Sequence, residues 1–158
     1  MPVSVRPAVP EDADALLRFL DGLNAHVGAL RGRMTRAALL ADAFGDAPQF
    51  EMCVGEVGSQ VAGYAAWCDA YETEHALAGL YMIDLYVDPA FRRHGLARRL
   101  VAAVSAESRR RGRGFVWWTA APDNAEAAAF YASLGSHSEP VVAHALFGEK
   151  FEALADEA

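Results

Sequence analysis

The run Gly79-Leu80-Tyr81-Met82-Ile83-Asp84-Leu85-Tyr86-Val87 constrains the fold more than any other stretch of this chain. It is nearly all apolar, the pattern of a strand whose sheet is covered on both faces. Asp88-Pro89 ends it, and a short turn leads into Leu96, Leu100 and Val104, which recur at i, i+4 and i+8. That spacing predicts a long amphipathic helix from Arg92 or His94 to Arg111. Arg109, Arg110 and Arg111 crowd its negative end and Gly112 stops it. A buried strand feeding directly into a helix implies layered α/β architecture. Asp84 is the one carboxylate inside that strand, and burial of an uncompensated carboxylate is costly.

The flanking segments complete a mixed α/β pattern. Val3–Arg6 reads as a short strand ended by Pro7. Pro10 suits a first helical position, Glu11, Asp12 and Asp14 favour the positive end of a helix, and Leu16, Leu20, Leu23 and Val27 give 10–28 an apolar stripe. Thr35 can cap a second helix carrying Leu39, Leu40 and Phe44, closed by Gly45 and Pro48. Strands are expected at 50–57 and 60–70 about a Gly58-Ser59 turn, and another at 114–119. Asp123 with Glu126 resembles a capping box for a helix that turns Ala127, Phe130, Tyr131 and Leu134 inward, closed by Gly135. Residues 136–147 read as one or two last strands and 149–156 as a tail helix. The order is β-α-α-β-β-β-α-β-α-β-β, with no repeat and no linker. One domain over 1–158 is the expectation, a length that buries a sizeable core without metals or disulfides.

Composition narrows the function classes. With 14 Lys+Arg against 21 Asp+Glu and a net charge of −7, the chain lacks the basic surface of a general nucleic-acid binder. The 109–113 arginines are accounted for by a helix end and a solvated face. There is no apolar run of about 18 residues and no apolar core in the first residues of a secretory type, so a cytoplasmic protein without membrane attachment is expected. A symmetric hairpin about Gly58-Ser59 would put Cys53 opposite Tyr64 and Cys68 opposite Gln49, roughly 13 Å apart along the strands. That is too far for a disulfide, so reduced, buried thiols are expected. Lone His94 and His137 give no metal pattern.

The chemistry concentrates after the apolar strand. Phe91-Arg92-Arg93-His94-Gly95-Leu96-Ala97-Arg98 opens a helix, and the first backbone amides of a helix lack intrahelical partners and favour anions. Gly95 permits close approach of a bulky anion and Ala97 keeps the next contact small. An ordinary strand-to-helix turn would use a glycine in the same place. The lysine and paired hydroxyl of a Walker loop are absent, as is the three-glycine dinucleotide fingerprint.

Arg92-x-x-Gly95-x-Ala97 after Leu85-Tyr86-Val87-Asp88-Pro89 resembles the acetyl-CoA signature of the GNAT superfamily of N-acetyltransferases. Asp123-Asn124-Ala125-Glu126, running on to Phe130-Tyr131 and Gly135, resembles that family's second cofactor segment. Val5-Arg6-Pro7-Ala8 opens the chain as in many members, and Phe44-Gly45-Asp46-Ala47-Pro48 looks like the spermidine/spermine (diamine) subgroup. The resemblance implies a central mixed, mostly antiparallel sheet of about 6–7 strands flanked by about 4 helices, and acetyl-CoA as co-substrate without a metal. By that resemblance Leu85, Tyr86 and Val87 pair with the pantetheine arm as an added strand. The amides of Arg92, Arg93, His94, Gly95, Leu96, Ala97 and Arg98 hold the pyrophosphate, and Asn124 contacts pantetheine. Tyr131 stands near the thioester sulfur as general acid, and the strand splays from 114–119 to make the slot. A homodimer is a family expectation.

Magnitudes shape the mechanism. A primary amine of pKa near 10.4 is about 0.04% neutral at pH 7, equivalent to roughly 4–5 kcal/mol, so its proton must be removed before attack. Asp84 is the candidate base or amine anchor, with a structural carboxylate as the other reading. Transfer from a tyrosine of pKa near 10 to a thiolate of pKa near 8.5 is uphill by roughly 2 kcal/mol, so Tyr131 is expected to help without being absolutely required. Two departures from the diamine pattern weaken polyamine specificity: Ile83 stands where an acidic residue precedes the aspartate, and His26-Val27 replaces another acidic position. Glu72, Glu74 and His75 offer alternative polar contacts at the mouth, or form a solvated loop. Trp117 and Trp118 alternate faces, one for a slot and one for the core. The leading reading is acetyl transfer to a small-molecule primary amine such as a polyamine, diamine or amino-acid-like acceptor. Acetylation of a protein N-terminus or lysine, and a non-catalytic acyl-CoA-binding regulatory module, are the alternatives.

Overall fold

The computed structural model describes residues 1–158. In chain order they form β1 (Val3–Pro7), α1 (Ala13–His26), α2 (Arg36–Phe44), β2 (Glu51–Val57), β3 (Gln60–Glu72), β4 (Leu77–Val87), α3 (Leu96–Arg110), β5 (Phe115–Trp117), α4 (Ala125–Ser133) and α5 (Gly148–Ala155). Single 3-10 turns occupy Pro10–Asp12 and Pro89–Phe91. Two compact units divide the chain, Met1–Thr119 and Ala120–Ala158.

The first unit holds one sheet in the order β1-β2-β3-β4-β5. The first three junctions are antiparallel and β4–β5 is parallel, with α3 as the crossover between them. The mixed α/β, mostly antiparallel architecture expected from the sequence is present. The strand count is five, fewer than the six or seven expected. Residues 136–147 form no strand: a strand persists only where a neighbouring strand takes its backbone groups, and the second unit contains none.

Helices pack on both faces of the sheet. Under α1 and α2, Ala13, Leu16, Phe19 and Leu39 are buried with Met52, Val54, Tyr64 and Ala66. On the other side α3 crosses all five strands and buries Leu96, Leu100, Val101 and Val104. Each fully buried side chain of this size contributes about 1.5–3 kcal/mol over leaving it in water. The stripe of α1 differs from its sequence reading. Phe19 enters the core, whereas Val27 is the exposed C-cap residue after the exposed Ala25 and His26 that end α1.

Polar contacts close the ends. Thr35 Oγ1 accepts the Ala38 amide at 3.1 Å and starts α2, as its spacing predicts. Arg6 forms a two-pronged pair with Asp12, Nη1 to Oδ2 at 2.7 Å and Nη2 to Oδ1 at 2.9 Å, tying β1 to the start of α1. The arginines at the end of α3 and just beyond it are engaged locally: Arg111 reaches Glu51 and Glu107, Arg110 reaches Glu107, and Arg113 reaches Asp69. Buried Ser108 donates to the Phe115 carbonyl at 2.9 Å, fastening α3 to β5.

One bulge corrects the cysteine geometry. Glu56 pairs with Val61 but Gly55 pairs with Gly63, so Ala62 is an extra residue and Cys53 faces Ala65, not Tyr64. Both thiols are free; Cys53 is buried and Cys68 half-buried. Desolvation pushes the Cys53 thiol up to about 11, which keeps it protonated and unreactive.

In the second unit α4 starts one residue later than the sequence implies. Asn124, not Asp123, is its N-cap, with Oδ1 accepting the Ala127 amide at 3.0 Å. The pairing of Asp123 with Glu126 as a capping box therefore does not form. Ala127, Phe130, Tyr131 and Leu134 are half-buried, as their helical spacing predicts, and α5 occupies the expected tail.

Candidate active site

β4 carries the geometry. Its pairing with β3 continues to Val87↔Gly63, but its pairing with β5 stops at Tyr81↔Trp117. The backbone edge of Met82–Val87 on the β5 side is left without a strand in the first unit, as the implied splay requires. This also corrects the expectation of a strand buried on both faces: Ile83 is 40% exposed.

A second bulge sets the direction of Asp84. Trp67 pairs with Met82 and Ala66 with Asp84, so Ile83 is the extra residue. Strand side chains alternate faces, so without a bulge Asp84 would share a face with Leu80 and Met82, which are buried on the α3 side. The inserted Ile83 reverses that parity. Asp84 then shares a face with Tyr86, which lies directly opposite Tyr64, and it accepts a hydrogen bond from the Tyr64 hydroxyl at 3.0 Å. Burial pushes the Asp84 carboxyl above the usual carboxylate range, and the Tyr64 hydrogen bond opposes that rise. Burial also raises the Tyr64 phenol, so it stays a donor at any working pH. Phe19 stacks at 6.4 Å on Tyr64 and lies 5.7 Å from Tyr86, walling the apolar side of the pair.

Beyond β4 the chain turns sharply. Asp88 Oδ1 accepts the Ala90 amide at 2.9 Å, which sets up the 3-10 turn at Pro89–Phe91. Arg93 and Gly95 both take the left-handed conformation, φ 64° and 77°. His94 Nδ1 lies 3.1 Å from the Phe91 carbonyl and 2.9 Å from the Arg92 carbonyl. Both partners only accept, so Nδ1 carries the proton. The sequence placed the start of the helix at Arg92 or His94. α3 instead starts at Leu96, because a left-handed residue cannot continue a right-handed helix. Its first ladder bond is Arg99 N–H to the Gly95 carbonyl, so the Leu96 and Ala97 amides precede that ladder. Around Gly95 a Cβ would meet nothing within 4 Å, so the turn is open to a bulky group. Leu96 is buried against Gly55 of β2, where no side chain obstructs it, and this anchors the helix start.

An edge of β4 with no strand beside it in the first unit, next to the open turn at Gly95, suits a ligand with an extended amide-bearing arm and an anionic group. Comparisons with known proteins give the family. The model of the acetyltransferase (GNAT) family matches residues 25–135, most of the chain. The chain belongs to that family. It is 27% identical over 112 residues to thialysine N-epsilon-acetyltransferase of Bos taurus, and the alignment covers 65% of each chain, just under two thirds of that relative. Among solved structures it resembles an integron cassette protein from the V. cholerae mobile metagenome, with TM-score 0.79, 18% identity and 98% coverage of both chains. It also resembles an aminoglycoside acetyltransferase from an uncultured soil metagenomic sample, with TM-score 0.75, 18% identity and coverage of 94% and 97%. At these identities the structural likeness concerns the fold.

The remaining residues singled out in the sequence fall as follows. Glu72, Glu74 and His75 sit at the tip of the β3–β4 hairpin, roughly 20 Å along the strand from Asp84. Glu72 accepts the Glu74 and His75 amides and pairs with the His75 ring at 2.7 Å, so its carboxylate organises the turn. The His75 hydrogen bond holds the Glu72 carboxyl below its usual range. Trp117 is half exposed and packs 5.1 Å from Tyr81 at the last β4–β5 pair. Asn124 and Tyr131 belong to the second unit; burial raises the Tyr131 phenol, and the Tyr131 carbonyl accepts the Ser136 hydroxyl at 2.9 Å. Tyr64 escaped the sequence reading. Its signal was a hydroxyl inside an apolar strand, but assigning it to Asp84 needs the β3–β4 register and the Ile83 bulge.

Proposed function

We propose that the protein transfers an acetyl group from acetyl-CoA to a primary amine of a small molecule by direct attack in a ternary complex. The observation that carries this reading is the unpaired β4 edge running into the open left-handed turn at Gly95. In this reading Leu85, Tyr86 and Val87 offer backbone groups to the pantetheine arm. The turn and helix start from Arg92 to Arg98 hold the pyrophosphate through backbone amides. Asn124 contacts pantetheine through its side-chain NH2, since its Oδ1 is occupied by the helix cap.

Asp84 accepts a proton from the incoming ammonium. The freed nitrogen lone pair attacks the thioester carbonyl to form the C–N bond. The C–S bond breaks, Tyr131 supplies a proton to the departing sulfur, and the second proton on the nitrogen returns to the tyrosinate to leave the neutral amide. A carboxylate of raised pKa is a better match to an amine proton than an exposed one, which favours Asp84 for this task. The relative's acceptor, thialysine, is an amino acid with an ε-amine. An amino-acid-like acceptor with one ammonium for Asp84 also suits this chain, because Ile83 and Val27 are apolar where the diamine pattern has carboxylates. The family model spans parts of both units, which supports treating 1–158 as one catalytic domain. No helix is long and apolar enough to cross a membrane; we propose a cytoplasmic enzyme that forms a homodimer.

The test is a panel of thialysine, lysine analogues, polyamines and peptides, scored by CoA release from acetyl-CoA. Release with lysine-like amines, above polyamines and peptides, is expected. Acetyl transfer to peptides alone would move the acceptor to a protein. Acetyl-CoA binding without transfer to any member would favour a regulatory module.

A further inference from the structure

We infer that Tyr64 is the positioning residue for Asp84, holding Oδ2 so that Oδ1 faces the acceptor amine. The inference rests on Asp84 being the base in the reaction proposed above. Tyr64 is fully buried, opposite Tyr86, and its ring packs in a three-ring cluster with Phe19 and Tyr86, each at a centroid distance of 6.4 Å. A hydroxyl on so confined a ring has little freedom to swing away. Its hydrogen bond to Asp84 Oδ2, at 3.0 Å, therefore fixes the carboxylate in both position and rotation.

The setting leaves Tyr64 to set the basicity of Asp84. Tyr86 shares the face along β4, and Asp88 and Arg92 beyond the strand end act on Tyr86. From α1 the facing groups are Phe19 and Gly22, with Arg18 stacked 5.8 Å over the Phe19 ring. The other α1 carboxylates are engaged elsewhere, Asp14 with Arg36 and Asp21 with the Gly32 amide. α3 packs on the opposite side of β4. Desolvation favours the protonated form of Asp84, and a protonated carboxyl cannot accept the amine proton. The Tyr64 hydroxyl donates more strongly to an ionised oxygen than to a neutral carboxyl, so its bond opposes that shift and favours the carboxylate.

The experiment compares wild type, Tyr64→Phe and Asp84→Asn in kcat/KM against pH, using whichever amine the panel selects, with thermal melting as a control for folding. In Tyr64→Phe the acid limb moves up by about one pH unit, a roughly tenfold loss of activity below it, while acetyl-CoA affinity stays unchanged. An unmoved acid limb in a folded Tyr64→Phe protein overturns the inference. If Asp84→Asn keeps the wild-type limb, the base assignment itself fails, and the two failures are told apart. For a Tyr64→Phe protein that does not fold, carbon NMR of the unaltered protein decides. The Tyr64 ζ-carbon is expected to shift at the pH where the Asp84 carboxyl titrates, and independent titration of the two overturns the inference.

Discussion

The Tyr86 hydroxyl lies where a side chain on Gly22 would begin: a Cβ there would stand 2.5 Å from the oxygen and 2.9 Å from Cζ. Gly22 is inside α1, where glycine costs about 1 kcal/mol against alanine. Gly→Ala in a helix normally stabilises, and here the sign inverts. Gly22→Ala is expected to destabilise by about 1–2 kcal/mol through forced displacement of the Tyr86 ring. Adding Tyr86→Phe should recover part of the loss, measured by a urea double-mutant cycle. Independent, additive effects would show that the ring moves freely.

Replacement of Gly95 separates backbone strain from ligand access. A β-branched residue at φ 77° is strained, whereas asparagine tolerates the left-handed region. Both add a side chain where Gly95 now has open space. Gly95→Asn is expected to keep the melting temperature near wild type, and Gly95→Val to lower it. Both should weaken acetyl-CoA binding in calorimetry about tenfold or more, from loss of close backbone approach. Wild-type affinity in a folded Gly95→Val protein would move the anion site elsewhere.

For Asp84→Asn, turnover and stability should change in opposite directions. Burial raises the Asp84 pKa in the folded protein, so the folded state binds more protons than the unfolded state between the ordinary value of 3.8 and its folded pKa. Stability tied to this group is full below 3.8 and is lost as pH rises through the folded pKa. At pH 7 the charged form is a burden that asparagine lacks. Asp84→Asn should therefore melt higher than wild type at pH 7, with the gap closing toward pH 4. Its kcat should fall and recover as pH rises and free amine accumulates.

Tyr131→Phe removes one hydroxyl from a half-buried ring that packs 5.2 Å from Phe130. General-acid catalysis contributes about 10²–10⁴-fold, and an acidic thiol leaving group places this case at the low end. A drop in kcat of about 10²-fold, with acetyl-CoA affinity unchanged, is expected. Full activity would assign protonation of the sulfur to water.

Asp12 is the counter-case to Asp84. The Arg6 hydrogen bonds hold its carboxyl below the usual range, so its stability is present above the ordinary value of 3.8 and is lost as pH falls through the lower folded value. Asp12 also accepts the Val9 amide at 2.9 Å. Asp12→Ala removes one of the two carboxylates on Arg6, which keeps Glu56 at 2.9 Å, and takes the acceptor from the Val9 amide. It should destabilise by about 1–2 kcal/mol at pH 7 in urea titration. At pH 2 the difference from wild type should shrink.

Local sequence signals were sufficient wherever an element is specified by its own residues. Thr35 and Gly45 bracket α2, the Leu96, Leu100 and Val104 stripe gives α3 its buried face, and Gly112 follows its end. Those are short-range effects of capping, helical periodicity and backbone freedom, and they read directly from the chain. The turn at Gly95 was legible for the same reason, together with the family motif around it.

Pairing between distant segments was not legible. The alternation of an apolar strand says that side chains take turns, but not where one extra residue reverses the order. The bulge at Ile83 puts Asp84 beside Tyr64, and the bulge after Gly55 shifts Cys53 to Ala65. The missing strand at 136–147 has the same origin, since its composition permits pairing but its unit offers no partner. By itself, then, the sequence determined most of the element types, the family and the glycine turn before α3, all of which depend on neighbours along the chain. The tertiary structure alone decided register, and with it which hydroxyl meets which carboxylate, because that choice depends on hydrogen bonds between residues twenty positions apart.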